Sequence, residues 1–525
     1  MKQACAALLL AATAFTGPAS VAAADPVPEK ARDSGPATQH WRPGFHFTPA
    51  RHWMNDPNGL VWQDGTYHLF YQHNPEGIRW GHMSWGHATS DNLLDWDEKA
   101  IALPETDDHM AFSGSAVVDH DNTSGFGSAD NPPLVAIYTA YDPETKAQRQ
   151  HLAYSLDKGE TWARHAGNPV LDIGSREFRD PKVFWHDESD RWVMAVAKAK
   201  AHKIAFYSSP DLKDWTHLSD FGPMGSTGGV WECPDLFRVP VDGGPETRWV
   251  LQVDLGRGAP AGGSGGMAFV GDFDGTRFTP DPAYADGPAH FVDYGADFYA
   301  AQSFSGAPSP DGKRLWLAWF ADWRYAQDMP TRPWRGAMTL ARRVDLTERD
   351  GIPVLRQTPL LPEGRDRRGE ARSVTGRQPL MVAGEAVSGR QMVVSLTLDP
   401  GAATDSGIAV YAGAGVETRI GYDARGETLY VDRRRSGPAH NAVMAEHFPA
   451  RHSAPLASGQ TPIDLTLVLD NSTLEVFAED GTLVFSERVF APASADGMFL
   501  YAKGGVARVS GLTVRAPGEG KPAGR

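Results

Sequence analysis

Read for alternation, the chain is a succession of short apolar runs with period two, broken by turns rich in Asp, Gly and Pro. The segments NDPNGLVWQDGTYHLFYQ (55–72), RDPKVFWHDESDRWVMAVAK (179–198) and CPDLFRVPVDGGPETRWVLQV (233–253) share one order. An acidic residue sits beside a proline, a short apolar run leads to a polar turn, and an aromatic opens a second alternating run. This order predicts a β-hairpin. The segments 112–140 and 297–320 read the same way without the proline, so five hairpins begin near residues 56, 113, 180, 234 and 297. A second element follows four of them at 88–103, 153–171, 207–222 and, more weakly, 270–278, each a strand, a polar turn and a Trp or Phe opening another strand. Four short strands recurring five times predict an all-β fold, a five-bladed β-propeller over residues 39–360, with a β-sandwich as the competing arrangement of many short strands.

Beyond residue 360 the pattern changes. LPEGRDRRGEARSV (361–374) is charged and lacks apolar periodicity, which predicts a linker or crossing loop. Alternating runs at 391–399, 407–413, 427–434, 463–490 and 498–503 predict an antiparallel β-sandwich over 375–516, leaving 517–525 as a tail.

The first 24 residues read as a secretory leader: Lys2, an apolar run at 4–15, and SVAAA (20–24) with cleavage expected after Ala24. The expectation is a secreted or periplasmic protein, with 25–38 a flexible lead-in. No later run approaches the roughly 20 apolar residues of a spanning helix. Removing the leader also removes Cys5, so Cys233 is the one thiol left and no internal disulfide forms. The formal charge of −15 excludes a nucleic-acid or anionic-membrane surface and favours a neutral ligand. A monomer is expected.

Radial repetition changes the meaning of WMNDPNGL (53–60). Alone it is a turn, because Asp-Pro and Asn-Gly steps build turns. In a propeller the first strand of every blade lines the axis, so Asp56, Asp180 and the Glu232/Asp235 pair start equivalent strands and converge. Carboxylates crowded together raise the pKa of one member while the others stay ionised, which yields an acid beside a nucleophile or base. Trp53, Trp62, Trp80, Trp85, Trp231, Trp319 and Trp323 offer flat apolar faces near Asn55, Gln72, Ser113 and Arg179, a combination suited to a sugar. Carbohydrate cleavage by paired carboxylates is therefore the leading class. GGSGG (262–266) matches a nucleophile elbow formally, but no helix follows, and a flexible loop is expected. His73, His82 and His87 have no tight metal-ligand spacing and are expected to line a cleft. Cys233 is expected to be a buried, inert thiol.

The blocks WMNDPNGL, FSGS (112–115), FRDPK (178–182) and WECPD (231–235), with TLEVFAEDG (473–481) near the end, resemble the signature blocks of glycoside hydrolase family 32, the β-fructofuranosidases, in particular bacterial levanases and exo-inulinases. The resemblance implies a propeller followed by a sandwich, and hydrolysis with retained configuration and no cofactor or metal. It assigns Asp56 as nucleophile, Glu232 as acid/base and Asp180 as transition-state stabiliser. Asn55, Gln72, Trp80, Phe112, Ser113 and Arg179 match positions that hold the terminal fructosyl unit, and Trp319 is expected among them. The substrate is then a fructan or fructo-oligosaccharide, with levan favoured and inulin and sucrose as further substrates. Release of a disaccharide, fructosyl transfer, an inverting propeller glycosidase of the arabinanase type, and a fructan-binding protein without turnover stay open as alternatives.

Overall fold

A computed structural model describes residues 38–285, 287–456 and 461–517. The expected leader and most of the lead-in and tail lie outside these residues. Four-stranded antiparallel blades follow one another as the repeat predicts. Their innermost strands are His52–Gln63, Met110–Val118, Phe178–His186, Trp231–Pro240 and Tyr299–Ser303, in blades I to V. The ring closes where Trp334–Arg335, from the loop inside blade V, pairs in parallel with His52 and Trp53 of blade I. The backbone of Ser305 exchanges hydrogen bonds with Leu60 and Trp62 across the same seam.

The inner strands are not regular. All five carry a register shift at the same height: between Met54 and Pro57, Ala111 and Gly114, Arg179 and Lys182, Glu232 and Asp235, and Tyr299 and Gln302. A β-bulge of this kind adds a residue, bends the strand and re-aims the side chains at the bend. Asp180 (φ 65), Cys233 (φ 47) and Ala300 (φ 55) occupy equivalent bulge positions in the left-handed region, which is uncommon outside glycine. Two glycines are fixed by the same crowding. A Cβ on Gly59 would stand 2.7 Å from the Phe70 ring, and one on Gly114 would stand 2.2 Å from the Ile137 carbonyl oxygen.

After blade V the chain enters the sandwich. Its final strand, Gly497–Pro517, runs through both layers. Residues 497–503 pair with Asp405–Gly413, and residues 508–515 pair with Gln391–Asp399. The two layers thus form one nearly continuous sheet folded over an apolar core that includes Val394, Ile408, Leu467, Phe485 and Leu500. The segment 361–374, expected to be a linker, instead contributes strands. Gly364–Arg368 pairs with residues 513–517, and Arg372–Pro379 pairs with residues from 509 down to 499. The first of these strands is exposed throughout, so its charged side chains conceal the strand period in the sequence.

Propeller and sandwich are joined by buried charge. Asp470 accepts hydrogen bonds from the backbone N–H groups of Gly44, Phe45 and His46 at 2.6, 2.9 and 3.1 Å. The His46 ring lies between Asp470 and Glu475, 2.9 Å from each. Arg342 of blade V donates to Glu475 at 2.7 Å and to Ser486 at 2.7 Å. The edge strand Leu483–Arg488 takes Tyr294 and Asp297 as backbone partners. Arg433 reaches Asp297 at 2.6 Å and the Tyr325 hydroxyl at 2.7 Å. Burial alone lowers the pKa of His46, but its two carboxylate partners overcome it and the net shift is upward.

Removing one member of a fully buried pair leaves the other without a partner, so Arg342→Ala is expected to destabilise the protein by about 3–5 kcal/mol in urea unfolding. Because the folded-state pKa of His46 is raised, its contribution is complete below the unfolded value near 6.5 and is lost as pH rises above it. The stability difference between the parent protein and His46→Gln is therefore expected to shrink as denaturation is measured from pH 5.5 to pH 8.5.

Candidate active site

The five bulges build one pocket. The residue before each bulge position is Asn55, Phe112, Arg179, Glu232 or Tyr299, and the bulge position itself is Asp56, Ser113, Asp180, Cys233 or Ala300. All five of the first set, with Asp56, Ser113 and Asp180, line a cavity of about 350 Å³ at the axis. Gln72, Trp80, Gly256, Trp323 and Gln327 complete its wall.

Asp56 and Asp180 form the floor, both buried. The Ser113 hydroxyl donates to Asp56 Oδ2 at 2.8 Å, and Trp53 Nε1 fixes the Asn55 side chain by donating to its Oδ1 at 2.7 Å. The Asp180 N–H donates to Thr139 Oγ1 at 3.0 Å, and its Oδ2 accepts the Cys233 N–H at 3.1 Å. The Cys233 thiol lies 3.7 Å from Oδ2 of each aspartate and so joins the two carboxylates across the floor. Glu232 stands on the wall: Arg179 Nε donates to its Oε1 at 2.8 Å, and the Tyr299 hydroxyl donates to its Oε2. Arg179 is held in turn by Glu177 at 2.9 Å and Gln148 at 3.2 Å.

Burial and like charge set the protonation of this group. Desolvation raises the pKa of Asp56, partly offset by hydrogen bonds from Asn55 and Ser113. Burial, followed by the charge of Glu232, pushes Asp180 up to about 7 against the pull of Arg179. Burial and the surrounding carboxylates hold the Cys233 thiol well above its ordinary value, so it sits among the acids as a neutral group. The arrangement is a polar pocket that keeps a proton among crowded carboxyls near neutral pH.

Asp235, expected to converge with the other acids, lies outside this pocket, buried against the Ser303 N–H at 2.5 Å and Lys182 at 3.4 Å, and Trp53, Trp62, Trp85 and Trp231 lie outside it as well. Every residue the family resemblance places at the site is in it except Trp319. That indole is fully buried, 5.7 Å centroid to centroid from Trp53 and 4.7 Å from Trp323, and it is Trp323 that faces the cavity. Trp319 ends a strand and points into the packing behind the wall, whereas Trp323 lies in the loop that follows. Trp80 is 37% exposed at the mouth, edge-on to Phe112 at 5.8 Å. Tyr299 escaped the sequence reading because YAAQS (299–303) has no acid-proline step. Aligning it with the residues before the other four bulges would have found it.

Two further expectations are corrected. His73 and His87 do not line the cleft: both are buried, His73 on the Trp53 carbonyl at 2.8 Å and His87 on His68 at 3.1 Å, and burial drives them down to about 4 and about 3. His82, half-exposed and 2.6 Å from Glu105, does not line the cavity either. The GGSGG segment is a turn running into a strand, and Ser264 accepts the Trp323 N–H at 3.2 Å.

Comparison with known proteins agrees with this geometry. Residues 46–359 match the glycosyl hydrolases family 32 N-terminal domain, and residues 363–516 match the family 32 C-terminal domain. The chain is 43% identical over 497 residues to a levanase of Bacillus subtilis, covering 92% of this chain and 71% of that protein. It is 39% identical to an extracellular exo-inulinase of Aspergillus niger, covering 89% of this chain and 93% of the relative. Among solved structures, the exo-inulinase of Aspergillus awamori superposes with a TM-score of 0.83 at 37% identity, covering 92% of this chain and 99% of the other. A β-fructofuranosidase of Schwanniomyces occidentalis, complexed with fructosyl-erythritol, superposes with a TM-score of 0.80 at 32% identity, covering 91% and 99%. With both of its domains matched, the chain belongs to glycosyl hydrolases family 32.

Proposed function

We propose that the protein is a retaining β-fructosidase that removes single terminal fructosyl units from fructans, with levan favoured and inulin and sucrose as further substrates. The observation that carries this reading is the pocket itself: a cavity of about 350 Å³ whose floor bears Asp56 and Asp180 and whose wall bears Glu232. Two carboxyl groups flanking a glycosidic bond are the requirement for its cleavage. A small cavity with a buried floor suits one ring at a chain end better than the interior of a polymer.

In this mechanism Asp56 attacks the anomeric carbon while Glu232 gives its proton to the leaving oxygen, breaking the glycosidic bond and forming a fructosyl ester on Asp56. Glu232, now a carboxylate, takes a proton from water as the water attacks the same carbon and frees Asp56. Asp180 receives ring hydroxyls as positive charge develops on the sugar, an interaction strongest in the transition state. Arg179 and Tyr299 each donate to one oxygen of Glu232 and so fix the orientation of its carboxyl group on the wall.

Levan is favoured on the match to the Bacillus levanase, and export on the extracellular relatives together with the leader-like N-terminus. Among the described residues no helix is long and apolar enough to cross a membrane.

Separating the products from levan, inulin, sucrose and arabinan tests the reading: fructose alone is expected, fastest from levan, with nothing released from arabinan. Disaccharide or transfer products would identify a different family reaction. Proton NMR of the first turnovers is expected to show the β-anomer of fructose, and the α-anomer would exclude the double displacement. Glu232→Ala should lower kcat by about 10²–10⁴-fold on substrates with a poor leaving group, and Asp56→Ala and Asp180→Ala should abolish turnover with unchanged circular dichroism.

A further inference from the structure

The inner strands of blades III and IV begin at the catalytic pocket and end on the opposite face, roughly 20–25 Å away at about 3.3 Å per residue. There a second, smaller cleft of about 230 Å³ opens between the two blades. Its floor is aromatic: the half-buried Trp249 ring packs 5.7 Å from His186 and 5.5 Å from Phe273. Its rim is charged with both signs. Arg238 crosses from blade IV to blade III, donating to Glu188 at 2.7 Å and to Thr247 at 2.7 Å within its own blade. Asp272 and Asp274 complete the rim, the Asp272 side chain being 72% exposed.

The cleft is preformed. The turn carrying Asp274 and Gly275 presses against the His186 ring so closely that a Cβ on Gly275 would stand 3.0 Å from it, and Ser219 of blade III clips the same turn by donating to the Thr276 carbonyl at 2.7 Å. The catalytic mechanism uses none of these residues.

We infer that this cleft is a second saccharide-binding site, which holds one sugar unit of the polymer against Trp249 while the chain end of the same or a neighbouring molecule is cleaved on the other face. An aromatic floor takes the apolar face of a sugar ring, and a rim that offers both acceptors and a guanidinium satisfies hydroxyls at its edge. A purely apolar ligand would take water from the Arg238–Glu188 pair and the Asp272 carboxylate without offering a hydrogen bond in return, and a polyanion would meet Glu188, Asp272 and Asp274. The choice of a fructosyl unit rests on the proposed reaction. A second site on a repetitive polymer raises the effective concentration of chain ends at the first without altering the chemistry.

The test uses the full-length enzyme with Trp249→Ala and, because that ring also packs on the core, Arg238→Ala as an independent variant. The expected result is a several-fold loss of kcat/KM on high-molecular-weight levan or inulin, carried by KM, with kcat/KM on sucrose and on a fructosyl trisaccharide unchanged. Sucrose turnover also reports folding: if Trp249→Ala loses it, Arg238→Ala decides. Unchanged polymer kinetics in the folded variants would overturn the inference and leave the proposed reaction standing. If no fructosyl substrate is turned over, the reaction assignment fails. Retardation of the parent protein in native gels containing levan, inulin or dextran then tests the cleft alone, supported by retardation that both substitutions weaken and overturned by mobility that neither changes.

Discussion

Five β-bulges at one height along the propeller axis are the constraint on which the site depends. A regular strand sends alternate side chains to opposite faces of its blade and none squarely down the axis. The extra residue in each inner strand turns the side chain before the bulge toward the centre, and in blades I to III the next one as well, and fivefold repetition makes those turns meet. Asp56, Asp180 and Glu232 therefore belong to one structural device used in three blades, while Phe112, Ser113 and Tyr299 are what the same device carries in the other two. The three left-handed residues among them, Asp180, Cys233 and Ala300, show local conformational preference yielding to that requirement.

Convergence has an electrostatic consequence. Three carboxyls brought into a buried space repel one another, and the protein answers with unequal surroundings rather than with a matching number of cations. Glu232 has a guanidinium and a phenol at its two oxygens, Asp56 has a serine hydroxyl, and Asp180 has only backbone and thiol donors on the side described. The same chemical group is thereby placed in three environments, the condition under which identical residues take different roles. Cys233 contributes by remaining neutral where another acid would add to the repulsion.

The sequence was most informative where backbone chemistry and function coincide. Asp-Pro and Glu-Cys-Pro steps mark bulges and carry the acids, so Asp56, Asp180 and Glu232 could be read from one chain, and period-two alternation marked the blades. Where the two separate, reading failed. Tyr299 occupies an equivalent bulge without proline. Trp319 and Trp323 differ only in which side of a wall they face, and a strand end followed by a loop does not announce that. The segment 364–368 hides its strand because both of its faces are exposed and charged. The His46, Asp470, Glu475 and Arg342 cluster joins residues more than 100 positions apart, and no local pattern records such a meeting.

That cluster also bears on how the chain reaches its fold. The backbone of residues 44–46 leads directly into the first inner strand, yet its partner Asp470 lies more than 420 positions later, in the second domain. During synthesis the start of blade I must wait unclasped until residue 470 has emerged, and the blade V seam that closes the ring also lies beyond residue 300. Long-range closure of this kind is slow and leaves strand edges exposed in the interim. The start of blade I is thus clasped only once the sandwich strand carrying Asp470 has formed, and the ring closes only when blade V reaches blade I.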